Sequence, residues 1–154
     1  MAMHTWFECK IRYEKVMENG MQKKVTEPYL VDALSFTEAE ARIIEEMTPF
    51  ISGEFTVSDI KRANYSELFP SDEESADRWF KCKLIFITLD EKSGAEKKTS
   101  TQVLVQAADL RDAVKKLDEG MKGTMADYQI ALVSETPLMD VYPYSAEPND
   151  KPEV

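Results

Sequence analysis

Apolar and polar side chains alternate along two stretches of this chain, and a period of two residues is typical of a β-strand. The first stretch begins at Trp6 and the second at Trp79. Their apolar faces comprise Phe7, Cys9, Ile11 and Tyr13 in the first and Phe80, Cys82, Leu84 and Phe86 in the second. Their opposite faces comprise Trp6, Glu8, Lys10 and Arg12 in the first and Trp79, Lys81, Lys83 and Ile85 in the second.

These two stretches belong to a longer internal repeat. The word TWFECKI at residues 5–11 returns as RWFKCKL at residues 78–84, a shift of 73 residues. Further matches follow at a shift of 74 and then again at 73, and the change of shift falls in a turn. They include Lys23-Lys24 with Lys97-Lys98, Leu30-Val31 with Leu104-Val105, and Phe69-Pro70 with Tyr142-Pro143. The pattern predicts a tandem duplication.

Each copy predicts the same order of elements. Asn19-Gly20 after the first strand is a tight-hairpin sequence, and a second strand follows it. Ser35 with Glu38 forms a capping box, and Asp109 with Asp112 takes its place in the second copy, so a helix begins after each. The apolar stripes of the two helices are Phe36, Ala39, Ile43 and Met47, and Leu110, Ala113, Leu117 and Met121. A third strand is predicted at residues 54–63 and 127–134.

The predicted class is therefore α+β: two tandem ββαβ repeats related by pseudo-twofold symmetry, with a mainly antiparallel sheet and two helices on one face. The repeats occupy residues 1–70 and 78–143, and we expect them to form one compact domain. An acidic linker, residues 71–77, separates them. Residues 144–154 are polar and contain proline, which predicts a disordered tail.

Composition and charge indicate the cellular compartment of the protein more than its function. The chain has 154 residues and a net charge of −10, which disfavours unguided attraction to nucleic acid or to an anionic membrane. It has no apolar run long enough to span a bilayer and no signal-peptide pattern at its start. Its two cysteines then favour reduced thiols, so we expect a cytoplasmic protein that does not associate with membranes.

Residues for catalysis or cofactor binding are scarce. The one histidine, His4, lies near the N-terminus, so neither a Ser-His-Asp triad nor a multi-histidine metal site is available. The five glycines form no phosphate-binding loop. Cys9 and Cys82 lie on apolar strand faces, which favours core packing over a redox pair. We therefore predict a protein without enzymatic activity, cofactor or metal.

The opposite strand faces are the candidate ligand surface. They carry tryptophan beside cations, as the surfaces that bind single-stranded nucleic acid do: aromatic rings stack on bases while lysine and arginine contact phosphates. The alternative is that the tryptophans pack under loops or that the face is a subunit interface, as in a homo-oligomer. The predicted face comprises Trp6, Lys10, Arg12, Trp79, Lys81 and Lys83.

The opening WFECKIRYEKV, together with RWFKCKL, resembles a family of uncharacterised bacterial and bacteriophage proteins catalogued as a domain of unknown function. In that family a strand carrying W-F-x-C-K starts the chain. The resemblance covers the chain from Trp6 to about Tyr142. The resemblance implies no activity, cofactor or catalytic residue. The occurrence of the family in phages and mobile elements implies a role in replication, regulation or counter-defence.

Three hypotheses for the function follow. The first is a nucleic-acid-binding accessory protein of phage or mobile-element type that uses the aromatic and basic sheet face. The second is a protein-interaction or inhibitor module, in which the acidic surface could mimic nucleic acid toward a basic partner. The third is a protein that binds a small molecule or nucleotide, or an enzyme, with a pocket between the repeats.

Overall fold

The computed structural model describes residues 5–143, which form eight strands and two helices. In chain order they are β1 (Thr5–Val16), β2 (Gln22–Ala33), α1 (Phe36–Met47), β3 (Phe55–Ala63), β4 (Glu67–Phe69), β5 (Arg78–Leu89), β6 (Glu96–Ala107), α2 (Leu110–Gly120), β7 (Asp127–Glu135) and β8 (Asp140–Tyr142). The strands form two four-stranded sheets, ordered β3-β1-β2-β8 and β4-β6-β5-β7. Only β4 and β8 pair in parallel. The predicted α+β class, with two helices and mainly antiparallel strands, is confirmed.

In the first sheet, β1 and β2 form a long hairpin closed by the predicted Asn-Gly turn. Gly20 has a φ of +81°, a left-handed conformation that glycine adopts without a steric penalty. Its N–H donates to the carbonyl of Met17 at 2.9 Å. The side-chain oxygen of Asn19 accepts from the N–H of Met21 at 3.0 Å, so local chemistry sets the position of this turn.

Each helix begins at the residue that the sequence predicts. The Ser35 hydroxyl accepts from the N–H of Glu38 at 3.1 Å, and the Asp109 carboxylate accepts from the N–H of Asp112 at 2.8 Å. Glu38 in turn accepts from the N–H of Leu34, one residue before the cap. These bonds satisfy backbone donors that a helix start leaves without intrahelical partners.

Each helix covers one face of its own sheet and encloses a core. The apolar faces and helix stripes predicted from periodicity supply most of the buried side chains. The first core comprises Phe7, Cys9, Ile11, Val31, Ala33, Ala39, Ile43 and Met47. The second comprises Phe80, Cys82, Leu84, Val103, Val105, Ala107, Ala113, Leu117 and Met121. Of the predicted stripes, Phe36 and Leu110 lie at the exposed margins.

Two short strands complete the sheets in a way that periodicity does not predict. Strand β4 follows β3 in the chain but pairs with β6, and β8 follows β7 but pairs with β2. Each sheet thus takes its last strand from the other half of the sequence. The compact units consist of residues 5–63 with 138–143 and of residues 64–137, so they are delimited differently from the sequence segments 1–70 and 78–143. The predicted tail, residues 144–154, lies outside the described residues.

Candidate binding surfaces

The two tryptophans of the predicted face differ in accessibility. Trp6 is partly exposed in β1. Trp79 is only 5% exposed in β5, so its ring offers no free face for a base to stack on. The carbonyl of Trp79 accepts from the N–H of Thr136 at 2.8 Å and from its hydroxyl at 2.9 Å. Sequence alternation placed Trp79 correctly outside the helix-side core, but it could not show that the other face is covered at this position.

Lys10 and Arg12 share the face of β1 that points away from α1. Lys10 lies opposite Asp59 of β3, and the neighbouring Glu8 forms an ion pair with Lys61 at 3.9 Å. Acidic and basic side chains therefore alternate over this part of the surface. Arg12 differs, because its register partners on β2 and β3 are both threonines.

Lys81 and Lys83 lie on the corresponding face of β5, in neutral surroundings. Lys81 lies opposite Leu104 and Ser134, and Lys83 lies opposite Gln102 and Leu132. Both lysines are partly exposed. The structure thus groups the six predicted residues in threes, one set on β1 and one on β5, and leaves the second set with cationic character but without an accessible tryptophan.

Strand β7 is an exposed edge that the sequence analysis did not single out. It has nine residues and pairs only with β5. Its middle residues are exposed, including Ile130 at 37% and Leu132 at 44%. It contains no lysine, arginine or proline, the residues with which exposed edges commonly prevent unwanted pairing. The sequence signal for this edge was the lack of lysine, arginine and proline, but an edge strand can be recognised only when the strand order is known.

An open groove of about 860 Å³ lies in the first unit, beside the end of β1. The loop between α1 and β3 forms one wall, and the β1-β2 hairpin forms another. The lining combines cationic, anionic and aromatic side chains, among them Arg12, Lys15, Glu54, Tyr13 and Phe50. Its size is in the range of ligand-binding clefts, and its mixed lining suits a segment with both apolar and charged groups.

A tyrosine cluster surrounds Glu27 near this groove. The hydroxyls of Tyr13 and Tyr29 donate to Oε1 of Glu27 at 2.8 and 3.3 Å, and Lys15 lies 3.6 Å from Oε2. Burial and the hydrogen bond to Glu27 raise the pKa of Tyr13 to about 12, and burial together with the Glu27 charge also raises the pKa of Tyr29. The phenols therefore remain protonated donors, and the cluster acts as a support for β1 and β2 rather than as a general base.

The cysteines are unreactive core residues. Cys9 and Cys82 are free and buried, each in its own unit's core. Burial raises the pKa of Cys9 to about 12, aided by Glu8 and Asp59, and burial raises the pKa of Cys82 to about 11. A thiol needs its thiolate form to act as nucleophile or metal ligand, so neither side chain is prepared for that chemistry.

Residues 5–143 contain neither a metal-binding cluster nor a membrane-spanning helix. The described part of the chain holds no group of three or more histidine, cysteine, aspartate or glutamate side chains arranged to bind a metal ion. No helix in the same part is long and apolar enough to cross a membrane.

The fold and these surfaces define a small α+β protein with exposed strand edges and open grooves. Residues 5–144 match the family model described as "Domain of unknown function (DUF4494)". The chain belongs to this family, and the match spans the whole region from Trp6 to about Tyr142 over which the resemblance was found. Comparison with curated proteins gave no match for the sequence.

Proposed function

We propose that the protein acts by binding another protein, and that β7 is the docking edge. The observation that carries this proposal is the combination of a nine-residue edge strand, exposed Ile130 and Leu132, and no basic residue or proline along the strand. The unpaired backbone groups of an edge strand can form hydrogen bonds with an added strand, and burial of the exposed apolar side chains stabilises the complex.

The partner of this edge is an extended segment of a different protein. Antiparallel self-pairing about Ala131 would place Ile130 opposite Leu132 of a second copy. The same register would place Asp127 opposite Glu135 at both ends, and like charges directly opposite each other destabilise a sheet. A foreign strand with apolar residues in the middle and no acidic residue at its ends avoids this repulsion.

The architecture supports two further parts of the proposal. We infer that the units arose by tandem duplication and obey pseudo-twofold symmetry, because both sheets place the third, first and second strands of their repeat in the same order and add one short parallel strand. On the resemblance to phage and mobile-element proteins and on the acidic composition, we propose a cytoplasmic accessory role.

The test is a selection of random short peptides from a displayed library on the purified protein. Peptides that bind the wild type should lose affinity for the Leu132→Lys variant, because a charge on the edge opposes strand addition. Leu89→Lys is the matched control, since Leu89 is also an exposed leucine in a strand of the same unit. Peptides that bind Leu132→Lys and wild type equally, or no enrichment at all, would contradict the proposal.

Single-stranded nucleic acid is the second candidate ligand. Lys81 and Lys83 favour it, because their neighbours on both adjacent strands are uncharged. Titration of fluorescently labelled, short single-stranded DNA and RNA with the protein should raise the fluorescence anisotropy at low salt and less at physiological salt, since phosphate contacts release counterions. The Lys81→Gln/Lys83→Gln variant should weaken the change and Lys115→Gln should not. No change at low salt with wild type would exclude this candidate.

A further inference from the structure

In the first unit, the end of β1 has a short unpaired edge. Strand β1 continues to Val16, but its pairing with β3 ends where Tyr13 lies opposite Phe55. Residues 14–16 therefore pair with β2 on one side, while on the other side no strand of the described chain accompanies them. The groove beside β1 lies at this point, because Glu14, Lys15 and Val16 line it together with Glu54 and Phe55.

The groove presents apolar surface on its helix side. Phe50, in the turn after α1, is 76% exposed, and Phe55, which lies opposite Tyr13 at the start of β3, is partly exposed on the helix side. Both line the groove. Ile51, next to Phe50, packs against the helix-side core, which fixes the turn on that side of the sheet. An apolar side chain entering from the helix side would remove part of both exposed surfaces from water.

The other side of the groove presents a cation. Arg12 is exposed on the face that points away from α1, and its register partners, Thr26 and Thr56, are uncharged. Lys24, the other groove cation on that face, lies opposite Glu14. Arg12 is therefore the groove cation on this face that has no acidic cross-strand partner, while Glu14, its neighbour on the same face of β1, lies opposite Lys24.

The second unit has a shorter counterpart of this free edge, without the cation and the tyrosines. The sequence repeat aligns Arg12 with Ile85, Tyr13 with Phe86 and Glu27 with Thr101. Pairing of β5 with β7 continues to Ile87, which leaves only the last two residues of β5 beyond it. The cation and the tyrosine cluster are thus particular to the groove of the first unit beside residues 14–16, which we call the notch.

We propose that this notch binds an extended segment of a partner protein in which acidic and apolar residues alternate. Alternation follows from strand geometry: successive side chains of an added strand point to opposite faces of the sheet. Those on the helix side meet Phe50 and Phe55, and those on the other side meet Arg12. The free edge of residues 14–16 supplies backbone hydrogen bonds to the added strand. This site is separate from β7 and does not depend on it.

The experiment is an NMR titration of the full chain with a synthetic peptide of three Val-Glu repeats, its ends blocked. The expected result is amide shifts concentrated at residues 14–16 and 50–54, with slower amide exchange at the free edge of β1. Two comparison peptides test separately how the charge and the backbone hydrogen bonds contribute to binding. Three Val-Lys repeats reverse the charge, and an N-methylated Val-Glu peptide keeps the side chains but loses the backbone donors. Both should bind at least about tenfold more weakly.

Variants then locate the site. Arg12→Glu and Phe50→Ala should each lower the affinity for the Val-Glu peptide, the former about tenfold or more. Lys98→Glu is the charge control, because the repeat aligns Lys98 with Lys24 in the other unit. Met125→Ala is the control for Phe50→Ala, since Met125 is also a highly exposed apolar residue after a helix.

The outcomes separate this inference from the proposed function. Binding that Arg12→Glu weakens and Leu132→Lys leaves unchanged supports the notch, whatever β7 binds. Binding that Leu132→Lys abolishes and Arg12→Glu leaves unchanged overturns the notch and supports the β7 edge. Equal binding of the N-methylated peptide shows simple charge attraction and also overturns the inference, as does an absence of shifts at residues 14–16 with millimolar peptide.

Discussion

Lys116 of α2 donates from Nζ to Oε2 of Glu73 at 3.2 Å, and this ion pair connects the helix to the segment that follows β4. The same Nζ lies 3.0 Å from the hydroxyl of Ser71 and 3.1 Å from Asp112. The acidic segment 71–77, predicted as a linker, is thus bound to α2 through Lys116. The sequence repeat aligns Lys116 with Arg42, whose guanidinium donates to the carbonyl of Pro143 just after β8 at 3.0 Å. In both units a helix cation contacts the segment that follows the short parallel strand.

Replacement of Lys116 by methionine should therefore loosen this segment. Methionine keeps most of the apolar stem but removes all three contacts of the ammonium. We expect faster amide exchange at residues 71–76 and a lower melting temperature, with a smaller difference at high salt because exposed ion pairs are screened. Lys115→Met is the control, since Lys115 is the exposed neighbour on the same helix. Equal exchange in both variants would mean that the ammonium does not hold the segment.

Gly120, the last residue of α2, lies against the ring of Phe69 in β4. A Cβ at this position would lie 2.8 Å from two ring atoms. Alanine should gain about 1 kcal/mol in helix propensity but lose about 1–3 kcal/mol to the forced displacement of the ring. We expect a net decrease in the free energy of unfolding, measured by urea denaturation. Gly53→Ala, where a Cβ meets no atom within 4 Å, should be neutral or stabilising. A Gly120→Ala variant as stable as wild type would show that Phe69 moves aside freely.

Trp79 and Trp6 should respond differently to truncation. Trp79 is 5% exposed, so Trp79→Ala should lower the free energy of unfolding by about 3–5 kcal/mol. Trp6→Ala should cost less, because Trp6 is partly exposed. The fluorescence of a Trp6→Phe variant, which retains only Trp79, should have its maximum at shorter wavelength than that of Trp79→Phe. Similar spectra and similar stabilities would contradict the difference in burial.

Alkaline pH should destabilise the fold, because the raised pKa values of its thiols and phenols make their ionisation unfavourable in the folded state. The protonated thiols and phenols are favoured in the folded state, where the pKa of Cys9 is about 12 and that of Cys82 about 11, against an ordinary value of 9.0. The unfolded chain ionises first, so this stabilisation is complete below about pH 9 and is lost progressively as the pH rises toward the folded values. The free energy of unfolding should fall above pH 9 with a smaller slope in Cys9→Ala than in wild type, compared by urea denaturation. Equal slopes would show that Cys9 does not contribute.

Local patterns predicted the parts of this fold that depend on neighbours in sequence. Alternation identified β1 and β5 and their core faces, because side chains two residues apart necessarily share a face of a strand. Ser35 and Asp109 marked the helix starts, because a side-chain acceptor must satisfy free backbone donors at that point. The Asn19-Gly20 turn was predictable for the same reason: a left-handed residue closes the hairpin and glycine adopts it readily.

The short strands β4 and β8 could not be predicted in this way. A strand of three residues is too short to show a period, and its parallel partner lies in the other half of the chain. The unpaired edge of β7 and the notch beside residues 14–16 depend on where neighbouring strands end, which is a property of the sheet order rather than of any one segment.

The sequence by itself determined which side chains face each core and where the helices and the first hairpin begin, because those features depend on periodicity and on bonds between near neighbours. Only the tertiary structure decided that Trp79 is covered while Trp6 is partly exposed, that Arg12 has uncharged cross-strand partners while Lys10 faces Asp59, and that β7 and residues 14–16 of β1 each have an unpaired edge. Alternation assigns a residue to a face, but what covers that face depends on long-range pairing and packing.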